Sequence, residues 1–286
     1  MEYVTLNNGV KMPILGYGVF QISKDECKRC VLDALSAGYR LIDTAQSYYN
    51  EAQVGEALAQ TDVPREDIFL TTKVWLSNYG YEKTKASVLR SMEKLQTDYL
   101  DLILLHQPFS DYYGSYRALE DLYKEKKVRA IGVSNFYPDR LSDLCAFNEI
   151  TPQIDQVEVN PFNQQIKAQD NMKKHTVQTE CWAPFGEGRN NMFGNETLLK
   201  IAAKYNKSVA QIILRWLTQR GIVALAKSTH VERMKANLDI FDFKLADEDM
   251  QALKSLDTKK SLFFDHQTPE AVDLFLRFLE ERKDLD

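Results

Sequence analysis

The chain has 286 residues, 44% of them hydrophobic and 27% charged, with a net charge of −5. That length suits one large domain or two small ones with a substantial core, and the mild acidity leaves no electrostatic footprint for nucleic acid or an anionic membrane surface. No basic stretch leads into an apolar segment at the N-terminus and no run approaches the roughly 18 apolar residues of a membrane helix, so the expectation is a cytoplasmic protein.

Tyr3 to Leu6, the turn Asn7-Asn8-Gly9 and Val10 to Leu15 predict a β-hairpin. Gly16 to Phe20 is the next strand candidate, and helices and short apolar runs alternate from there. A helix over Lys24–Ala37 stops at Gly38 and precedes a strand at Leu41–Asp43. A helix over Glu51–Ala59 precedes Ile68–Lys73, Tyr81–Leu95 precedes Leu100–His106, and Tyr116–Glu125 precedes Val128–Ser134. Pro138–Phe147 precedes Gln153–Val159, and Gln165–Lys174 precedes Val177–Trp182. Helices over Glu196–Tyr205 and Val209–Gln219 precede Ile222–Lys227, and helical stretches at Glu232–Leu238 and Asp247–Leu256 follow. Two segments read as long loops, Phe185–Asn195 and Asp257–Gln267, before Thr268-Pro269-Glu270 opens a last helix. Eight strands alternating with helices over about 250 residues are the signature of an α/β (β/α)8 barrel. No linker or repeat divides residues 1–286, so one barrel domain is expected. A doubly wound sheet is the runner-up, weakened because Gly16-Tyr17-Gly18 lacks a third glycine in register.

Cys27-Lys28-Arg29-Cys30 is a CxxC without a second ligand pair for zinc. It sits about one turn inside the expected helix rather than at its start, so two reduced thiols are the better reading than a redox dithiol. The four histidines are scattered, with no HxH or HExxH pairing, and no metal site is expected.

Asp43, Tyr48, Lys73 and His106 lie at or just past the C-terminal ends of three strand-like runs, where a parallel barrel builds its site. A tyrosine, with an ordinary pKa of about 10, becomes a proton donor near neutral pH if an ammonium lowers that value. Lys73 supplies the charge, Asp43 holds Lys73, and His106 orients the same carbonyl oxygen. The set suits proton donation to a carbonyl, and a hydride nucleophile would require a nicotinamide across the barrel mouth. Singly, Asp43 or Lys73 reads more often as part of a structural ion pair, and His106 as a satisfied strand-end histidine, than as a catalytic group; the joint placement carries the argument. Lys73 also reads as a Schiff-base nucleophile of a barrel lyase.

From Asn8 to about Asn237 these residues resemble the aldo-keto reductase family. The resemblance is carried by Asn8-Gly9-Val10-Lys11-Met12-Pro13 with Gly16-x-Gly18, by Gly38 to Tyr48, by Thr72-Lys73-Val74-Trp75 and by Leu104-Leu105-His106-Gln107-Pro108. It implies Tyr48 as general acid, Lys73 and Asp43 as its tuning pair and His106 as the orienting residue. It further implies NADP(H), with Ser134, Asn135 and Gln156 on the nicotinamide carboxamide. In Cys181-Trp182-Ala183-Pro184-Phe185, Trp182 takes the place of the family's stacking tyrosine, with Ala183 and Phe185 beside it. Lys227, Ser228 and Arg233 are expected on the 2′-phosphate, favouring NADPH, and Asn237 at the adenine. Ala226 replaces a frequent proline and Ala236 a frequent acid, the second expected to loosen cofactor exchange.

Phe20, Trp75 and Trp182, with His106, are the expected substrate wall, and the Phe185–Asn195 loop an expected lid over the pyrophosphate. The closest resemblance is to short bacterial-type members, which implies a small carbonyl substrate: a glyoxal, a simple aldehyde or a keto-sugar. A monomer without nucleic-acid or membrane partners is expected. Besides reduction and the Schiff-base lyase, a non-catalytic NADP(H)-binding redox sensor is the third reading.

Overall fold

The computed structural model describes residues 2–283. The opening hairpin is β1 (Tyr3–Thr5) against β2 (Lys11–Pro13), antiparallel with Val4 opposite Met12. The expected second arm reaches only Pro13, because Leu15–Gly18 turns away as β3, the first strand of the barrel. In chain order follow α1 (Lys24–Ala37), β4 (Leu41–Asp43), α2 (Glu51–Gln60), β5 (Phe69–Val74), α3 (Tyr81–Lys94), β6 (Leu102–Leu105), α4 (Tyr112–Lys124), β7 (Ile131–Ser134), α5 (Pro138–Phe147), β8 (Ile154–Glu158), α6 (Ile166–Lys174) and β9 (Gln178–Trp182). Then come α7 (Glu196–Tyr205), α8 (Val209–Gln219), β10 (Val223–Ala226), α9 (Val231–Leu238), α10 (Asp247–Lys254) and α11 (Pro269–Glu281). Strands β3 to β10 are all parallel and close as a barrel, β10 pairing with both β9 and β3. This is the (β/α)8 architecture that the alternation predicts.

Local chemistry explains the boundaries. α1 stops at Gly38, whose φ of 114° lets its N–H reach Ala34 O and Leu35 O. α8 starts on a capping box between Ser208 and Gln211. α4 begins at Tyr112, four residues before the expected start, because the Asp111 carboxylate accepts from Gly114 N and satisfies the first turn.

The barrel floor is a small apolar cluster of Leu41, Phe69, Leu102, Leu104, Ile154, Val223 and Leu225, closed below by hairpin residues Leu6 and Met12. Gly16 has to lack a side chain there, since a Cβ would lie 2.5 Å from Leu41 Cδ2. A filled floor leaves only the opposite, C-terminal end open to chemistry. The larger core lies between strands and helices and takes in Cys27 and Cys30. Burial pushes the Cys27 thiol up to about 12 and raises that of Cys30, the opposite of the electropositive, partly exposed setting a redox dithiol needs.

Candidate active site

Asp43 ends β4, and the chain then turns back over the strand ends through a single 3₁₀ turn, Gln46–Tyr48. The turn is clamped from three sides. Gln46 Oε1 accepts from Trp75 N (2.9 Å) and Asn78 Nδ2 (2.9 Å), and its Nε2 donates to Ser91 Oγ (3.1 Å). Asn50 Nδ2 donates to Val19 O (3.0 Å) while its Oδ1 accepts from Thr44 Oγ1 (2.9 Å). The five-residue step from Asp43 to Tyr48 thus becomes a fixed distance across the mouth.

Lys73, on β5, is fully buried. Its Nζ donates to Asp43 Oδ1 (2.6 Å), Thr44 O (2.9 Å) and Tyr48 Oη (3.3 Å), using all three ammonium protons. Burial works against that charge, but Asp43 and Tyr48 outweigh it and hold Lys73 above the ordinary lysine value. Burial pushes the Asp43 carboxyl up against the pull of Lys73 and of a Gln156 N–H. Burial likewise raises the Tyr48 phenol; Lys73 pulls it down, Asp43 and Glu180 push it further up, and the sum is upward. The expectation of a phenol lowered toward neutrality is corrected here: sequence shows the ammonium but not the desolvation, which is the larger effect.

His106 stands just past β6, its backbone N–H on Val74 O (3.1 Å). Its ring lies edge-on to Tyr48 at 5.7 Å and to Trp75 at 5.3 Å, with Nδ1 3.3 Å from Ser47 Oγ. Burial first, then the charge of Lys73, lowers its pKa well below the usual histidine range, so the ring is neutral. All four expected residues therefore meet at the C-terminal mouth. His106 joins by ring packing and through Ser47 rather than by a direct hydrogen bond to the other three.

A polar shelf adjoins His106. Ser134 Oγ donates to Gln156 O (2.8 Å), and Asn135 N donates to the same carbonyl (2.9 Å). Asn135 Nδ2 donates to Ser134 Oγ (3.0 Å) and His106 O (3.2 Å), while Trp182 Nε1 donates to Asn135 Oδ1 (2.8 Å). The indole N–H of Trp182 thus fixes the neighbouring amide. Asn135 (φ 64°) and Ala183 (φ 49°) both hold left-handed backbone at this shelf, uncommon for the alanine in particular. Gln156 Nε2 donates to Asp43 Oδ2 (3.1 Å) and to Glu180 Oε2 (3.0 Å), tying the shelf to the Lys73 cluster.

Lys227 and Arg233 lie apart from the mouth centre, at the β10 end and in the first turn of α9. Both are exposed and neither makes an ion pair among the described residues. Between them Ser228 Oγ accepts from His230 N (3.1 Å), and Ser228 O accepts from Tyr17 Oη (2.5 Å), which pins the segment to β3. Asn237 is buried against the Tyr39 hydroxyl.

The apolar wall differs in part from expectation. Phe20, 47% exposed, packs on Tyr48 at 4.9 Å. Trp75 is only 5% exposed, because Phe275 of α11 covers it at 6.0 Å between ring centroids. The 257–267 segment folds over the mouth as well: Ser261 Oγ donates to Glu158 Oε2 (2.5 Å), Leu262 N donates to Glu158 Oε1 (2.9 Å), and Phe263 packs on Trp182 at 5.1 Å. Phe185 packs on Phe193 within its own loop (5.9 Å), and Arg189 of that loop donates to Leu262 O (3.0 Å) and lies over Phe263. Glu180, Ser47 and the tail aromatics Phe263 and Phe275 were not candidates from sequence. An acid inside a strand two residues before Trp182, on the inward register, is the signal that points to Glu180; the tail residues carry none.

Comparison with known proteins agrees with this geometry. The sequence model described as the aldo/keto reductase family matches residues 14–258. Glyoxal reductase of Bacillus subtilis is 46% identical over 257 residues, covering 89% of this chain and 92% of the relative. Morphine 6-dehydrogenase of Pseudomonas putida is 40% identical, covering 89% and 91%. Among solved structures, an aldo-keto reductase from a deep-sea metagenome superposes with a TM-score of 0.89 at 41% identity, over 93% of this chain and 99% of that one. An aldo-keto reductase of Bombyx mori in complex with NADP superposes with a TM-score of 0.87 at 33% identity, over 92% and 95%.

Proposed function

The chain belongs to the aldo/keto reductase family, and from that premise we propose that it is an NADPH-dependent reductase of small aldehydes, dicarbonyls or keto-sugars, with Tyr48 as proton donor. The observation that carries the reading is the single buried cluster in which Tyr48 Oη lies 3.3 Å from a Lys73 ammonium that Asp43 holds at 2.6 Å. Bound NADPH supplies the hydride; the chain supplies everything that happens at the carbonyl oxygen. Tyr48, its phenol raised, keeps its proton at neutral pH and gives it up only to a stronger base, the alkoxide that forms at the carbonyl oxygen. As the proton leaves, negative charge grows on Oη beside Lys73, where the buried setting makes the attraction strong. Asp43 keeps that ammonium in place. In the tautomer in which His106 Nδ1 accepts from Ser47 Oγ, the ring proton sits on Nε2, free to donate to the same carbonyl oxygen and fix its direction.

The donor set fits the nicotinamide cofactor. Ser134, Asn135 and Gln156 offer amide and hydroxyl groups to a carboxamide, and Trp182 offers a flat face beside them. Lys227, Arg233 and Ser228 form an anion-ready patch at the start of α9, suited to a 2′-phosphate. The NADP in the Bombyx relative and the glyoxal of the Bacillus relative support cofactor and substrate class. A Schiff-base lyase is disfavoured, because a fully buried, triply hydrogen-bonded ammonium is a poor nucleophile. We further propose that residues 1–286 act as one domain and as a monomer.

The test follows absorbance of the reduced nicotinamide with NADPH or NADH and a panel of glyoxals, simple aldehydes and keto-sugars. Consumption that requires both NADPH and a carbonyl is the expected result. Binding of NADPH with no consumption across the panel would favour a nicotinamide sensor instead.

A further inference from the structure

Glu180 has no part in the proton donation above, yet it sits in the same buried cluster. It is fully buried on β9, two residues before Trp182, in register with Gln156 of β8 and Val223 of β10. One amide nitrogen, Gln156 Nε2, serves both its Oε2 (3.0 Å) and Asp43 Oδ2 (3.1 Å). Its Oε1 is buried with no hydrogen-bond partner among the described residues. The charged and titratable groups facing it are Asp43 from β4, Tyr48 from the following turn, Lys73 from β5 and Cys181 along its own strand; β10 offers the apolar Val223. The cluster thus contains two carboxyl groups and one ammonium, and the ammonium is taken by Asp43 at 2.6 Å.

An ionised Glu180 would leave one buried negative charge without a counter-ion, which is costly. A protonated Glu180 leaves the cluster neutral. On the reading that Gln156 and Trp182 flank the nicotinamide, the oxidised ring brings a positive charge to that neighbourhood and the reduced ring does not. We propose that Glu180 is a positioning residue that holds a proton in the free and NADPH-bound enzyme and releases it to solvent when the positively charged NADP⁺ ring is bound. This proposal rests on the cofactor reading above. The balance closes over a turnover: hydride leaves NADPH, Tyr48 gives its proton to the alkoxide oxygen and takes one back from solvent, and Glu180 gives a proton to solvent while NADP⁺ is bound and takes one back when NADP⁺ departs, so the net uptake is the one proton that the alcohol carries away. An ionised Glu180 also opposes a phenolate at Tyr48, which favours reprotonation of the donor before the next cycle. Burial pushes the Glu180 carboxyl up to about 8, with the negative charge of Asp43 acting in the same direction, so the switch falls near physiological pH.

The experiment is calorimetric titration of the full chain with NADP⁺ and, separately, NADPH at about pH 7.5, below the Glu180 value, in two buffers of different ionisation enthalpy, to count protons. The wild type is expected to release a fraction of a proton more with NADP⁺ than with NADPH, the 2′-phosphate contributing equally to both. Glu180→Gln keeps an acceptor for Gln156 and carries no proton to lose, so it should bind both nucleotides with that difference abolished. An equal difference in wild type and variant, or no difference in the wild type, would overturn the proposal while leaving the cofactor reading intact. Failure to bind either nucleotide would overturn both. Should the variant not fold, the wild type alone decides. The ratio of the NADP⁺ to the NADPH dissociation constant must fall by about fivefold as pH rises from about 7 to about 9, the part of a one-unit pKa change that this window spans. A flat ratio refutes the coupling. The 2′-phosphate titrates in both nucleotides and cancels in that ratio.

Discussion

Replacing Asp43 by Asn tests the Lys73 cluster without changing its shape. Lys73 Nζ would keep an oxygen near the 2.6 Å position and its bond to Thr44 O at 2.9 Å, but would lose the one carboxylate that pairs with it among the described residues, inside a fully buried site; Glu180 shares the cluster but makes no ion pair with it. Removing one partner of a buried pair costs about 3–5 kcal/mol, because the remaining charge is left uncompensated. That is a large share of a total stability of about 5–15 kcal/mol. Removing both charges, as Asp43→Asn with Lys73→Met, should return most of the loss, leaving about 1–2 kcal/mol, since the desolvation penalty goes with the ammonium. The sign with pH also follows. In wild type Lys73 is held above its ordinary value, so its contribution is present below about 10.4 and lost as pH rises through the folded value. In Asp43→Asn the ammonium without its partner titrates lower. Between that lower value and about 10.4 the unfolded chain then binds a proton the folded one has lost, and stability rises with pH. The gap between wild type and variant should narrow as pH is raised above neutrality. Urea unfolding followed by circular dichroism at several pH values measures each quantity, with equal m-values as the check that the end states match. An Asp43→Asn cost below about 1 kcal/mol at neutral pH, or a double variant as unstable as the single one, would refute the view that this pair is a mutually dependent buried ion pair.

Two further outcomes follow from the same structure. Lys227→Met should raise the dissociation constant for NADPH about tenfold, from loss of a charge-assisted hydrogen bond of about 1.5 kcal/mol, while leaving that for NADH nearly unchanged; fluorescence titration with both nucleotides reads the difference. His266 is buried, and burial lowers its pKa to about 3, with its Nε2 3.1 Å from Gln107 Oε1 and its Nδ1 without a hydrogen-bond partner among the described residues. The unfolded chain protonates this histidine below about 6.5 and the folded one does not until about 3, so it draws stability down by about 1.4 kcal/mol per pH unit in that window. His266→Phe removes that loss, and its stability relative to wild type should improve as pH falls from about 6.5 to 4.5, measured by thermal unfolding.

The barrel was legible because most of its strands are short apolar runs alternating with amphipathic helices, a pattern local in sequence; β8 and β9, with Asp155, Gln156 and Glu180, are the polar exceptions. Asp43, Lys73 and His106 were legible because a polar residue closing such a run lies at the mouth by topology alone, and Tyr48 by its fixed step from Asp43. What sequence could not carry was burial and long-range closure. Burial decides the direction of the Tyr48 phenol and makes Glu180 matter. The 257–267 segment reaches Glu158 across about 100 positions of chain, and Phe275 reaches Trp75 across about 200, contacts that no local periodicity encodes. α4 began early because the residue that starts it, Asp111, acts through a cap rather than through apolar spacing.

The most direct test of the central claim is single-turnover reduction of a reactive small carbonyl such as glyoxal by NADPH-loaded wild type and Tyr48→Phe, with NADPH binding measured on both. Loss of the hydride-transfer step by at least about a hundredfold in the variant, with binding of NADPH intact, is the expected result for removal of a general acid. Reduction by Tyr48→Phe at a rate near that of wild type would contradict it.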